Sequence, residues 1–163
     1  SDVYKRQVTG FSFSSYLNLV RLGVPEEDIS TILMADHGLK LYGNAVIVNT
    51  DYAKNNPDMV KKFLVAVGAG WRDAIKDPKS AAAALVKRNP AADAALEQRR
   101  LQLAIDANVL TDYVKANGMG GVDSTRFAAA IQQLSETYEY KAAPNAALYF
   151  TDEYLPASGI SVN

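Results

Sequence analysis

Few side chains in this sequence could carry covalent chemistry. His37 is the only histidine, and there is no cysteine. A Ser/His/Asp triad or a histidine-containing metal site would have to run through His37. Cysteine nucleophiles, thiolate metal sites and disulfide frameworks are removed together. The flank Ala35-Asp36-His37-Gly38 matches neither GxSxG nor HExxH. An ordinary loop histidine is the leading reading, ahead of a ring that touches a ligand and ahead of a catalytic base.

The acidic clusters Pro25-Glu26-Glu27-Asp28 and Asp152-Glu153 adjoin helix or turn boundaries, where carboxylates serve capping and dipole roles. A metal site would need several carboxylates converging in space, and none is expected here. Gly118, Gly120 and Gly121 are not followed by a Lys-Ser/Thr pair, so they read as a helix–helix loop and not as a phosphate cradle. Lys61-Lys62 and Arg99-Arg100 read as solvated helix faces. The stretch VTGFSFSS, residues 8–15, carries more. A strand end, a Gly turn and a hydroxyl-rich helix start can donate several hydrogen bonds to an anion or polar group. Ordinary strand-to-helix capping accounts for the same residues.

These groups need elements to hold them. Residues 11–22 read as a helix with Ser12, Ser14 and Ser15 able to cap its start and Gly23 then Pro25 to end it. TILMA (31–35) and AVIV (45–48) are short apolar runs of strand length, with a Gly38-containing loop between them. Asn49 and Thr50 offer caps for a short helical turn through Tyr52. Asn56-Pro57 starts a helix, along which Met59, Val60, Phe63, Leu64, Val67, Trp71 and Ile75 recur at three-to-four spacing. Gly68 and Gly70 inside it cost about 1 kcal/mol each in helix propensity, which close packing against a neighbour would offset. Asp77-Pro78 and Asn89-Pro90 break the pattern into further helices, 78–88 and 91–109. Residues 112–116 read as a short turn at most. Asp123 caps a last helix with Phe127, Ile131, Leu134 and Tyr138 on one face. The tail carries Tyr149, Phe150 and Tyr154. Alanine is dense between Ala81 and Ala130, which suits closely packed helices.

The chain has 163 residues, 48% hydrophobic and 21% charged, with formal net charge −1 and a pI near 5.8. That hydrophobic content excludes a disordered chain. The charge balance argues against an electrostatic nucleic-acid binder. No apolar run reaches membrane-spanning length. Length alone suggests one domain. Residues 1–7 (SDVYKRQ) back-translate to TCA-GAT-GTG-TAT-AAG-AGA-CAG, which resembles a transposon end used in preparing sequencing libraries. They are expected to be an adapter artefact outside the fold, with the genuine upstream sequence missing.

The segment ILMADHGLKLYGNAVIVN (32–49), followed by YAKNNPDMVKKFL and GWRDAIKDPKSAAAALVKRNP, resembles the solute-binding proteins of ABC importers. The group it is most similar to is the family of thiamine-pyrimidine-precursor binders, which also takes in nitrate, sulfonate and taurine binders. The TGF segment, the NG-x-G-x-VD loop and the FTDEYLP end follow in family order, so the resemblance runs from Val8 to about Pro156. It implies an α/β fold, a type II periplasmic-binding-protein-like clamshell, incomplete here and helix-rich in its C-terminal portion. By the same resemblance residues 8–41 would be the end of the second lobe and the return crossing, and residues 42–163 the C-terminal strand and helices.

The resemblance implies cleft positions for Thr9, Gly10, Phe11 and Ser12, and for His37, Tyr42 and Asn44. Many relatives carry tyrosine where His37 stands, and pyrimidine binders tend to carry a carboxylate near Asn44, so the pattern departs from a pyrimidine ligand. Asn44 can donate and accept, which suits an amide or ring nitrogen. Tyr42 could stack on a planar ligand. A hinge role, aromatic plug and turn residue, fits the same two positions. The implied function is capture of a small polar or planar solute and delivery to a membrane permease, with no cofactor, no metal and no nucleic acid. The complete protein would be a monomer, located in the periplasm or tethered outside the cytoplasmic membrane. Two alternatives stand beside it. One is an enzyme of the same fold, similar to a pyrimidine synthase that uses pyridoxal phosphate and a cysteine-rich motif; this sequence has no cysteine. The other is a helical interaction module, which leaves the two strand-like runs unexplained. A sensor domain fused to a kinase would read the same way.

Overall fold

The computed structural model describes residues 7–142, 144–157 and 159–162. Residues 1–6 of the adapter-like stretch lie outside the described residues. The chain divides into two compact units. One comprises Ser1–Leu33 and Asp73–Thr111, the other Met34–Arg72 and Asp112–Asn163. The backbone therefore passes between them three times.

In the first unit, a π-helical turn at Ser12–Tyr16 runs into helix α1, Leu17–Arg21. The serines do not cap it. Phe11 occupies the cap position, with no side-chain cap bond, and its carbonyl takes the amides of Ser14 and Ser15 at 2.9 and 2.8 Å. The stop is as the sequence indicates. Gly23 adopts φ +88°, while the Gly23 amide bonds to the Val20 carbonyl and the Val24 amide to Leu19. That pair of bonds is the Schellman closure, and it favours a residue without a Cβ.

Helix α2 is Thr50–Asn55, α3 Pro57–Lys76, α4 Pro78–Arg88 and α5 Ala94–Ala104. Their starts follow local chemistry. The Asn49 side chain accepts from the amides of Asp51 and Tyr52, Asp77 from Ser80, and Asp93 from Leu96. Each satisfies donors that the first helical turn leaves open. The helix expected from residue 91 starts three residues later because Asp93 supplies that cap, and it ends in a π-helical turn at Ile105–Val109. Helices α4 and α5 pack together in the first unit, whose buried apolar residues are Leu17, Ala82 and Ile105.

In the second unit, helix α6, Asp112–Asn117, replaces the expected turn. Helix α7, Ser124–Tyr138, is capped by Asp123 as expected, its side chain accepting from Arg126 N. An antiparallel bridge joins Met119 and Ile160. Gly68 of α3 meets this bridge: a Cβ built there would lie 2.1 Å from Ile160 Cγ2, so close packing explains that glycine. Gly70 faces open space, so close packing does not explain it. Val60, Ile160 and Val162 are buried here, with Ala53 and Ala130.

Among the described residues there is no β-strand. The expected strands at residues 31–35 and 45–48, and the strand stub at Val8-Thr9, are therefore corrected. Met34–His37 closes a 3-10 turn instead, which takes the end of the first run out of extended geometry. Residues 45–48 lie outside any helix or ladder. A strand exists only with a neighbour to share its backbone bonds, and no neighbouring strand is present beside this run.

Candidate functional site

In the second unit a strap, residues 38–42, lies along helix α7. Gly38 adopts φ +96°, which lets the chain turn out of the Met34–His37 turn. Gln133 of α7 then treats the strap as an adjacent strand would. Its Nε2 donates to the Gly38 carbonyl at 2.9 Å, and its Oε1 accepts the Lys40 amide at 2.9 Å. Only a primary amide offers donor and acceptor side by side in this way. Arg126 continues the ladder, donating from Nε to the Lys40 carbonyl and from Nη2 to the Leu41 carbonyl, both at 3.1 Å.

Tyr42 ends the strap. Its hydroxyl accepts the Asp123 amide at 2.9 Å and reaches the Asp123 carbonyl at 3.5 Å. The Arg126 guanidinium sits over its ring, 4.8 Å from the centroid, a favourable cation–π geometry. Phe127 meets the same ring edge-on at 6.1 Å, and Phe150 meets Phe127 likewise. Arg126, Tyr42 and Asp123 thus lock the strap to the start of α7.

Beside this lock is a cleft of about 320 Å³ lined by Ala35, Leu39, Lys40, Asp123, Thr125, Arg126 and Ala129. That volume suits a small solute. Lys40 and Arg126 bring positive charge, Thr125 a hydroxyl, and Asp123 a carboxylate. Leu39 and the two alanines make the apolar part.

None of the seven residues expected at a ligand lines this cleft. Tyr42 touches two residues that do, Asp123 and Arg126. His37 ends the 3-10 turn and is exposed, as is Asn44. Thr9, Gly10, Phe11 and Ser12 belong to the other unit. Thr9 and Gly10 are exposed outside any helix, and Phe11 stacks on Phe13 at 5.0 Å. A Cβ on Gly10 would fall 2.0 Å from Ser15 Oγ, so any larger residue there would make the Ser15 hydroxyl turn away.

The first unit also holds a charged cluster that the sequence does not announce. Arg99 donates from Nη1 and Nη2 to the two Glu26 oxygens, at 2.8 and 2.6 Å. Tyr16 donates its hydroxyl to the same carboxylate. Hydrogen bonds from Arg99 first, then from Tyr16, hold the Glu26 carboxyl down at about 2 against an ordinary 4.5. The bond to Glu26 raises Tyr16. Arg100 bonds to Glu97 at 3.1 Å and to the carbonyl of Phe13 at 3.0 Å. Arg99-Arg100 is therefore not a merely solvated face: both residues tie α5 to the segment that carries Phe11 and Ser12. Glu26 and Arg99 are exposed while Tyr16, Glu97 and Arg100 are half-buried, so the cluster is a clamp at the surface of this unit.

Among the described residues no group of three or more His, Asp or Glu could hold a metal ion. Among the same residues no helix is long and apolar enough to cross a membrane.

Comparison with known families gives one match: residues 2–81 fit the model of the NMT1/THI5-like family. The matched segment is 80 of the 163 residues, just under half of the chain, and over that segment the chain is similar to this family. The NMT1/THI5-like segment begins within the adapter-like residues and ends in α4. It contains all seven candidate residues and the strap. Helices α5, α6 and α7 lie beyond it, so the ordered motifs that extend to Pro156 are not part of the match. The family has a periplasmic-binding-protein-type fold and is typically a small-molecule-binding component. No curated protein and no solved structure matches the chain.

Proposed function

We propose that this chain is the substrate-binding component of an ABC importer, working outside the cytoplasmic membrane. It captures a small polar or planar solute between two lobes, closes by hinge motion and presents the solute to a membrane permease. The observation that carries this reading is the NMT1/THI5-like segment, which holds Thr9, Gly10, Phe11, Ser12, His37, Tyr42 and Asn44. One further fact supports it. The strap leading to Tyr42 is fixed by α7, so a ligand would meet a preorganised surface.

On this reading no bond is made or broken. The solute is held by hydrogen bonds and ring contact alone, with no cofactor. The test is a thermal-shift panel on the chain, covering nitrate, sulfonates, taurine, pyrimidines and flavins. A solute that binds the native state raises Tm by mass action, by the equivalent of about 2.7 kcal/mol at a hundredfold excess over Kd. A saturable rise with one solute class is expected. A flat response across the panel would overturn the proposal.

A further inference from the structure

Asn117 is the last residue of helix α6, and Gly118 follows it. No other asparagine in the sequence precedes a glycine. This pairing has a chemistry of its own. Glycine has no side chain, so nothing shields its amide nitrogen from the side-chain carbon of the asparagine before it. The other followers are bulkier, and at Asn56-Pro57 and Asn89-Pro90 the follower has no amide proton at all.

In the folded chain both groups are engaged elsewhere. The Asn117 side-chain amide donates to the Tyr113 carbonyl at 3.0 Å, which turns it back along the helix. The Gly118 amide donates to the Val114 carbonyl at 2.8 Å, and Gly118 adopts φ +77°, as residues just past a helix often do. Met119 then exchanges two backbone hydrogen bonds with Ile160, at 2.8 and 3.0 Å. Gly159 closes on the same joint: a Cβ built on it would lie 2.5 Å from the Asn117 carbonyl oxygen. Asn117 is exposed, so water reaches it. The helix end and the bridge beyond it are what hold the pair out of reaction.

We propose that Asn117-Gly118 is a site of spontaneous deamidation, gated by the Met119–Ile160 bridge. When the bridge opens locally and the last turn of α6 frays, the Gly118 amide nitrogen attacks Asn117 Cγ. An N–Cγ bond forms and the Cγ–Nδ2 bond breaks. The displaced nitrogen takes the Gly118 amide proton and leaves as ammonia. The cyclic imide then takes up one water at either carbonyl and opens to aspartate or to isoaspartate. Nothing is oxidised or reduced. Either product places a negative charge at the C-terminal end of a helix, where it is disfavoured, and removes the donor to Tyr113. Isoaspartate also adds one main-chain atom between Asn117 Cα and Gly118. That shifts Met119 out of register with Ile160 and loosens the seat of Ile160 on Gly68 of α3. The modified chain cannot reclose the bridge as before, so the change runs one way. It stands whether or not a solute binds.

The test is incubation of the chain at mildly alkaline pH, native and in urea, followed by peptide mapping that separates asparagine, aspartate and isoaspartate. In urea, Asn117 should convert ahead of every other asparagine. In the native chain it should convert at least tenfold more slowly. Gly159→Ala sets a Cβ against the Asn117 carbonyl at a position with φ +68°. It should weaken the bridge and speed native conversion at least threefold, while far-UV circular dichroism keeps its helical signal. If that variant loses its helices, the unmodified chain decides through hydrogen exchange at Met119 and Ile160: conversion should accelerate at the urea concentration where these two amides lose protection. Equal rates in the native and unfolded chain would overturn the proposal. So would another asparagine reacting ahead of Asn117 in urea, a native rate that folded Gly159→Ala leaves unchanged, or conversion unrelated to the protection of the bridge.

Discussion

The Tyr42 hydroxyl accepts the backbone amide of Asp123 at 2.9 Å, although the two residues are far apart in sequence. Asp123 is also the cap of α7, its carboxylate accepting from Arg126 N at 2.6 Å. One residue therefore starts a helix and anchors the strap that runs along it. Removing the hydroxyl alone, with Tyr42→Phe, should lower stability by about 1 kcal/mol, the net worth of one hydrogen bond. Asp123→Ala should cost a similar amount, about 1 kcal/mol, through the lost cap. Because both act at the same helix start, the double variant should cost less or more than the sum. Urea unfolding of the four proteins reads the coupling, and strict additivity would show that strap and cap are independent.

The Glu26–Arg99–Tyr16 clamp predicts a pH dependence with a definite sign. Glu26 is held at about 2 in the folded chain against 4.5 ordinarily. A depressed carboxylate contributes stability above its unfolded value, and that contribution is lost as pH falls through the folded one. The clamp's contribution should therefore be full near pH 6 and fade between about pH 4.5 and pH 2. Other carboxylates titrate in the same range, so the readout is the Tm difference between the native chain and Glu26→Gln. That difference should shrink on acidification and with added salt, because both partners are exposed and exposed pairs are screened. A difference that grew below pH 4 would contradict the clamp.

Gly68 and Gly70 should respond in opposite directions to the same substitution. Gly70→Ala adds a methyl in open space and gains helix propensity, so it should stabilise α3 by up to about 1 kcal/mol. Gly68→Ala places a Cβ 2.1 Å from Ile160 Cγ2, and overpacking of this kind costs about 1–3 kcal/mol. The net effect should be destabilising. Thermal melts of both variants check the sign of each, and stabilisation by both would mean that the bridge at Ile160 is not packed against α3.

How much of this was legible in the sequence follows from the range of each interaction. Helix starts at Asn49, Pro57, Asp77 and Asp123 were readable because a cap bonds within three residues of itself. Gly23 was readable for the same reason. Arg99 and Arg100 were misread because their partners, Glu26 and Phe13, lie in another element, and a basic pair on a charged helix looks solvated until its far partner is placed. The runs at residues 31–35 and 45–48 have strand composition, but composition cannot supply the neighbouring strand. The serines near residue 12 have capping chemistry, yet Phe11 takes the cap position. The cleft beside α7 was missed altogether. Its residues come from two segments, 35–40 and 123–129, and only Asp123 carried a local signal. Gln133 carried none, since its role depends on a strap that the sequence presents as a loop.

The central claim is solute binding, and calorimetric titration of the solute panel into the chain tests it most directly. His37→Ala and Asn44→Ala are the informative variants, because both positions are exposed and neither substitution should disturb the fold. The account predicts a saturable one-to-one heat for one solute class, weakened about tenfold or more, equivalent to about 1.4 kcal/mol, by at least one of the two variants. Absence of any saturable heat across the panel would contradict it.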